Sequence, residues 1–156
     1  MKKIFISRTP GTPCLAFAAA FAAVLPAPTF AADADVRQLV AMAPEARATM
    51  RAEMLDSQLA LHQIIALLGE SKFADAADIA EKELGISAMG KHRKLPSNAR
   101  PGMFMPDEMH AIGRAGHVAA SDFAKIARSG DLAKALTALQ AVTGNCVACH
   151  RSYRTQ

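Results

Sequence analysis

The chain has 156 residues, of which 51% are hydrophobic, 21% charged and only 5% aromatic, and its formal net charge is +4. This balance excludes a disordered chain. With no Trp and one Tyr, the apolar volume must come from Ala, Leu, Ile and Met, which favour helices and argue against an all-β sandwich or barrel.

Residues 1–31 read as a leader. Lys2, Lys3 and Arg8 form a basic start, an apolar run follows from Cys14 to Leu25, and small residues lead to Thr29-Phe30-Ala31. This predicts a secretory signal peptide cut before Ala32 or one residue later, leaving one domain over 32–156. The apolar run has 12 residues, short of the roughly 20 needed to cross a bilayer, and no later stretch is long enough, so no membrane span is expected. Cys14 lacks the preceding Leu of a lipoprotein site. Removing Lys2, Lys3 and Arg8 takes Lys plus Arg from 18 to 15 against 14 Asp plus Glu, a net charge of +1. That is not the footprint of a nucleic-acid binder.

Four helical patterns follow. The first runs from Pro44, suited to the first helical position, to Gly69, with Met50, Met54, Leu61, Ile65 and Leu68 on one face. The second covers 71–84, with Ser71 as expected N-cap and Gly85 as stop. Residues 86–105 form a long connection with two prolines, two glycines and the bases Lys91, Arg93, Lys94 and Arg100. Connections of this length are usually functional or mobile. The third helix is expected over 106–129. Its stripe is Met109, Ile112, Gly116, Ala120, Phe123 and Ile126 or Ala127, and small residues such as Gly113 leave room for something bulky. The fourth starts at an Asp131 cap, and its seam of Leu132, Leu136, Leu139, Cys146, His150 and Tyr153 runs into the only cysteines of the mature chain. Short connections between the first and last pairs predict an all-α, antiparallel four-helix bundle.

Cys146-Val147-Ala148-Cys149-His150 is C-x-x-C-H, the attachment signature of c-type haem. Two thiols three residues apart share a helical face, where each can add to one vinyl group of a porphyrin, and the adjacent imidazole meets the iron. The surroundings bear on other uses of the pair. No βαβ pattern supports a thioredoxin-like site, no second C-x-x-C or paired His supports zinc, and an ordinary disulfide is the remaining alternative. Export favours haem, which is attached outside the bacterial cytoplasm. The cofactor expected is a single covalent haem c.

An all-α bundle with this motif in its last helix resembles the class II c-type cytochromes, namely cytochrome c′ and the low-spin cytochrome c-556 group. The likeness is sharpest over CVACHRSYR, 146–154. It implies that Cys146 and Cys149 carry the haem, that His150 is the proximal iron ligand, and that Arg154 lies near the haem or stays a solvated charge. It also implies a homodimer through the first two helices as one arrangement, while the leader predicts a periplasmic protein; with no nucleophile-base pair at a recognisable spacing and no phosphate loop such as G-x-x-x-x-G-K, no enzymatic activity is expected. Within that group the sixth iron position divides electron carriers, which place a first-helix Met there, from five-coordinate proteins that bind NO or CO. Met54 is the candidate sixth ligand, although a Met in a helical stripe is often core filler. Met50, Met103 and Met105 are further candidates. The expected role is electron transfer between redox partner proteins, with binding of NO or CO as the alternative. His62, His110 and His117 read as surface or capping residues, with room near His117. The bases around Lys91 and His92 read either as a solvated loop or as a docking site for an acidic partner.

Overall fold

The computed structural model describes residues 35–156; the leader expected over 1–31 lies outside them. Four helices pack together. Helix α1 covers Pro44–Gly69, α2 Phe73–Ile79, α3 Asp107–Ala127 and α4 Leu132–Ser152. A two-residue strand before the bundle, β1 (Gln38–Leu39), pairs in parallel with another after it, β2 (Tyr153–Arg154).

The helix ends follow local chemistry. Pro44 opens α1, where its missing N–H loses nothing, and Glu45 offsets the positive N-terminus. The Asp131 side chain accepts from Lys134 N–H at 3.0 Å and caps α4. Gly130, at φ +75°, makes the left-handed turn between α3 and α4. Ser71 does not cap α2. It takes the left-handed position itself at φ 59°, and Lys72 stands before the helix without a side-chain cap bond.

The second helix ends at Leu84, before Gly85, as its pattern implied, but its last part is not α-helical. After seven α residues it widens into a π turn, Ala80–Leu84. The cause is a polar knot at its end. Glu81 accepts from the Ser87 hydroxyl and backbone N–H, Ser121 accepts from Ile86 N–H at 2.9 Å, and His117 Nδ1 donates to Leu84 O at 2.7 Å. The Ser121 and Ser87 hydroxyls hold the Glu81 carboxyl below its usual range. The connection 86–105 then extends along α1 in short 3₁₀ turns, Ile86–Ala88, Ser97–Ala99 and Pro101–Met103, and the last two pack on α1. Lys91 lies 3.8 Å from Asp56, and His92 Nε2 lies 2.9 Å from Glu53.

The core is built from small side chains. Ile64 and Leu68 of α1 meet Ala76, Ala77 and Ala80, then Ala120, Phe123, Ala124 and Ala127 of α3 and Ala135, Leu139 and Val142 of α4. Phe123 is fully buried, which contributes about 1.5–3 kcal/mol. One detail of the α1 stripe differs from expectation: Ile64 faces the core while Ile65 is 58% exposed; of the α3 alternatives Ile126 and Ala127, Ala127 is the buried one. Leu132 and Leu136 point to solvent, with Ala135 taking the inward position.

Candidate functional site

The inward stripe of α4 reads Ala135, Leu139, Val142 and then Cys146, at steps of four, three and four. The first three are buried. Cys146, although next in register, is exposed, Cys149 is half-buried and His150 is exposed. The register of the core continues past Val142 but its filling does not.

The same thing happens on the two facing helices. On α3, Gly113 lies on the stripe of buried Met109 and Ala120, yet a Cβ built on it would meet nothing within 4 Å. Gly116, one turn on, would touch Asn145 Cβ at 3.5 Å, so this open stretch of α3 lies beside Cys146 and Cys149. On α1, Met54 is 40% exposed. It follows Arg47 and Arg51 at helical spacing. Arg47 donates to Thr155 O at 3.4 Å, and Arg51 bonds the Gln156 side chain. The face of α1 that carries Met54 is therefore the one that meets the end of α4. Elsewhere α1 packs chiefly on α2 and α4 on α3, with only slight contact between α1 and α4. Met54, Gly113 and Cys146, on three different helices, are thus all exposed at this end of the bundle.

No disulfide joins Cys146 and Cys149. Burial pushes the Cys146 thiol up, and Cys146 Sγ donates to Val142 O at 3.6 Å. Burial, and then the neighbouring Cys146, push the Cys149 thiol up. Among the described residues, no group of three or more His, Cys, Asp or Glu is arranged to hold a bare metal ion. The residues fit a flat, largely apolar group with thiol anchors and an imidazole on one side: two thiols on one flank of α4, an adjacent imidazole, a glycine where bulk must pass, and a methionine on α1.

The tail beyond His150 is tied down. Val40 N–H donates to Arg154 O at 2.8 Å, and Arg37 donates to His150 O at 3.4 Å. Arg154 Nε is buried without a hydrogen-bond partner, 3.6 Å from Asp35 Oδ2. Arg37 holds the Asp35 carboxyl down to about 2, first through its side-chain hydrogen bond. Of the other expected candidates, Met50 lies one turn before Met54 on α1, and the histidines serve the backbone or face solvent. His117 secures the π turn, His110 Nε2 sits 2.7 Å from Gly102 O, and His62 is exposed. Met103 is 62% exposed, while Met50 and Met105 are half-buried. Sequence reasoning does not single out the arginines at 37, 47 and 51. The helical spacing of Arg47 and Arg51 to Met54 is the signal that could have found two of them.

Thiols and imidazole in this order, in a bundle whose buried core ends beside them, mark the class of helical haem-binding cytochromes. The family model described as Cytochrome C' matches residues 34–154, and the chain belongs to the cytochrome c′ family. Family membership implies a covalent haem, generally without enzymatic activity. No curated protein and no solved structure matches the chain. No helix among the described residues is long and apolar enough to cross a membrane.

Proposed function

We propose that this chain is an exported electron carrier of the periplasm, where members of the family typically reside, with residues 1–31 removed as its signal peptide. The observation that carries the reading is the loss of core filling at Cys146, Gly113 and Met54, on three helices at one end of the bundle. Cys146 and Cys149 would each add S–H across one vinyl double bond, the sulfur taking one carbon and the proton the other. His150 would be the proximal ligand and Met54 the ligand opposite. A haem held this way supplies a one-electron iron couple, and a His/Met pair raises its potential and closes the site to gases. The chain's own part is to hold that geometry. The inward stripe of α4 aims the thiols, and the anchored tail restrains the helix end behind His150. Little has to move when an electron arrives or leaves, which suits outer-sphere transfer.

Two measurements test this reading. Haem should resist acid-acetone extraction and appear in the intact mass. It should become extractable when Cys146→Ala and Cys149→Ala are combined, while either single variant keeps one thioether. Met54→Ala should turn a low-spin optical spectrum high-spin and admit CO rapidly. Rapid CO binding to the unaltered protein would instead establish the open-site reading, a protein that binds NO or CO. An unchanged spectrum in Met54→Ala would move the sixth ligand to Met50, Met103 or Met105.

A further inference from the structure

Among the described residues, Arg47, Arg100 and Arg154 are the half-buried bases. Arg47 donates to Thr155 O at 3.4 Å, and Arg154 Nε lies 3.6 Å from Asp35 Oδ2. Arg100 is different. Its Nε is buried without a hydrogen-bond partner, and no carboxylate among the described residues pairs with its guanidinium. A guanidinium is charged at every working pH, and a charged donor taken from water without an acceptor is costly. An anion at Arg100 would offset that cost.

The backbone fixes where Arg100 stands. It links two 3₁₀ turns, Ser97–Ala99 and Pro101–Met103, both packed on α1. Arg100 N–H donates to Ser97 O at 3.2 Å, and Arg100 O accepts from Met103 N–H at 3.1 Å. Pro101 beside it is buried. Upstream, His92 Nε2 lies 2.9 Å from Glu53, the residue before Met54. Downstream, His110 Nε2 sits 2.7 Å from Gly102 O, and His110 stands one turn before Gly113 on α3. The segment thus runs from the turn of α1 that carries Met54 to the turn of α3 next to Gly113, with Arg100 between them. This is the end of the bundle at which α4 presents Cys146 and Cys149.

Haem brings its own anions. Two propionate carboxylates leave the half of the macrocycle opposite its vinyl groups. Thioethers to Cys146 and Cys149 tie down only the vinyl half. The planar fork of an arginine matches a carboxylate in shape and charge. The other arginines at this end are engaged or in water: Arg37 and Arg154 lie on Asp35, Arg47 and Arg51 hold the tail, and Arg151 is exposed.

We infer that Arg100 binds a haem propionate and so anchors the edge of the cofactor that the cysteines leave free. The inference rests on the haem attachment in the reading above and holds whichever residue takes the sixth position.

The test uses haem-loaded protein grown on aminolevulinate isotopically labelled at its carboxyl carbon, which leaves label in the haem at the propionate carboxyls alone. Carbon NMR of the ferrous protein under CO, diamagnetic with or without a methionine ligand, follows their titration. An opposite charge in contact lowers a carboxyl by about one to three pH units. One propionate should therefore titrate that far below its value in Arg100→Met, at least about tenfold in ionisation constant. Arg100→Lys, which keeps the charge and loses the fork, should retain part of the shift. Arg47→Gln and Arg154→Gln should leave it in place. A second measurement needs no substitution and decides alone if Arg100→Met takes up no haem. In frozen unaltered protein with labelled arginine nitrogens, dipolar transfer should run from a propionate carbon to the assigned Arg100 side chain. Transfer to Arg47 or Arg154 instead, or to no arginine, would overturn the inference. So would a titration unchanged in Arg100→Met. Failure of the haem reading registers separately, as an intact mass without haem.

Discussion

His117 donates its Nδ1 hydrogen to the Leu84 carbonyl at 2.7 Å and also reaches Gly85 O at 3.1 Å. A side chain of α3 thereby closes the π turn of its neighbour and fixes where the connection 86–105 departs. Beside it, Ser121, the one buried polar side chain of the core among the described residues, satisfies Ile86 N–H. His117→Ala should cost about 1–3 kcal/mol, the range for leaving a buried polar group unpaired. The loss should appear as a lower Tm and faster amide exchange at 84–88, with the core amides of α3 unchanged. Retained protection at 84–88 would mean that the knot holds without its imidazole.

Adjacent isoleucines on α1 should respond very differently. Ile64 is fully buried among Ala76, Ala80 and Phe123, whereas Ile65 is 58% exposed. Ile64→Ala should lower stability by about 2–5 kcal/mol through lost burial and the cavity left behind. Ile65→Ala should stay within about 0.5 kcal/mol. Urea denaturation of the two variants side by side decides it, and comparable losses would mean that α1 is rotated from its described setting.

That pair also marks how far the sequence could be read. Helix ends were legible because they depend on local groups: Pro44 at a first turn, Asp131 as a cap, Gly130 at a left-handed turn. The C-x-x-C-H site was legible because its chemistry needs a fixed spacing. Rotation of a stripe about its helix axis was not, since Ile64 and Ile65 satisfy a broad apolar face equally well until neighbouring helices are placed. The π turn depends on Ser121 and His117, more than thirty residues away. The β1–β2 pair is two residues long and leaves no alternating pattern. Gly113 was legible as room for something bulky, but its place beside Cys149 required the Gly116–Asn145 contact to set the level of α3 against α4.

Asp35 should make the tail sensitive to strong acid. Its carboxyl is held at about 2 against an ordinary 3.8, mainly by the Arg37 side chain and then by the Arg37 backbone N–H. A lowered folded-state value stabilises the ionised form, so the contribution is complete above 3.8 and disappears as pH falls through about 2. Protection of Val40 N–H, which donates to Arg154 O, should therefore decline across that window. Asp35→Asn should show reduced protection that no longer varies between those pH values. A decline of equal size in the variant would assign the acid sensitivity to other carboxylates.

Two glycines inside helices separate ordinary helix energetics from the demands of the haem space. A Cβ added at either Gly113 or Gly144 would meet nothing within 4 Å, so by propensity alone either one changed to Ala should gain about 0.5–1 kcal/mol. Gly144 lies on the outward side of α4, opposite the stripe of Leu139, Val142 and Cys146, and Gly144→Ala should stabilise the protein with its optical spectrum intact. Gly113 lies on the inward stripe of α3, level with the cysteine pair. Gly113→Leu would put four carbons into the space assigned to the haem, where overpacking costs about 1–3 kcal/mol. The expected outcome is a well-folded chain with a reduced yield of attached haem, or haem with a disturbed sixth position, read from the ratio of haem absorbance to protein mass. Full loading and an unaltered spectrum in Gly113→Leu would place the haem elsewhere, away from α3, and would require a different account of why the core stops at Val142.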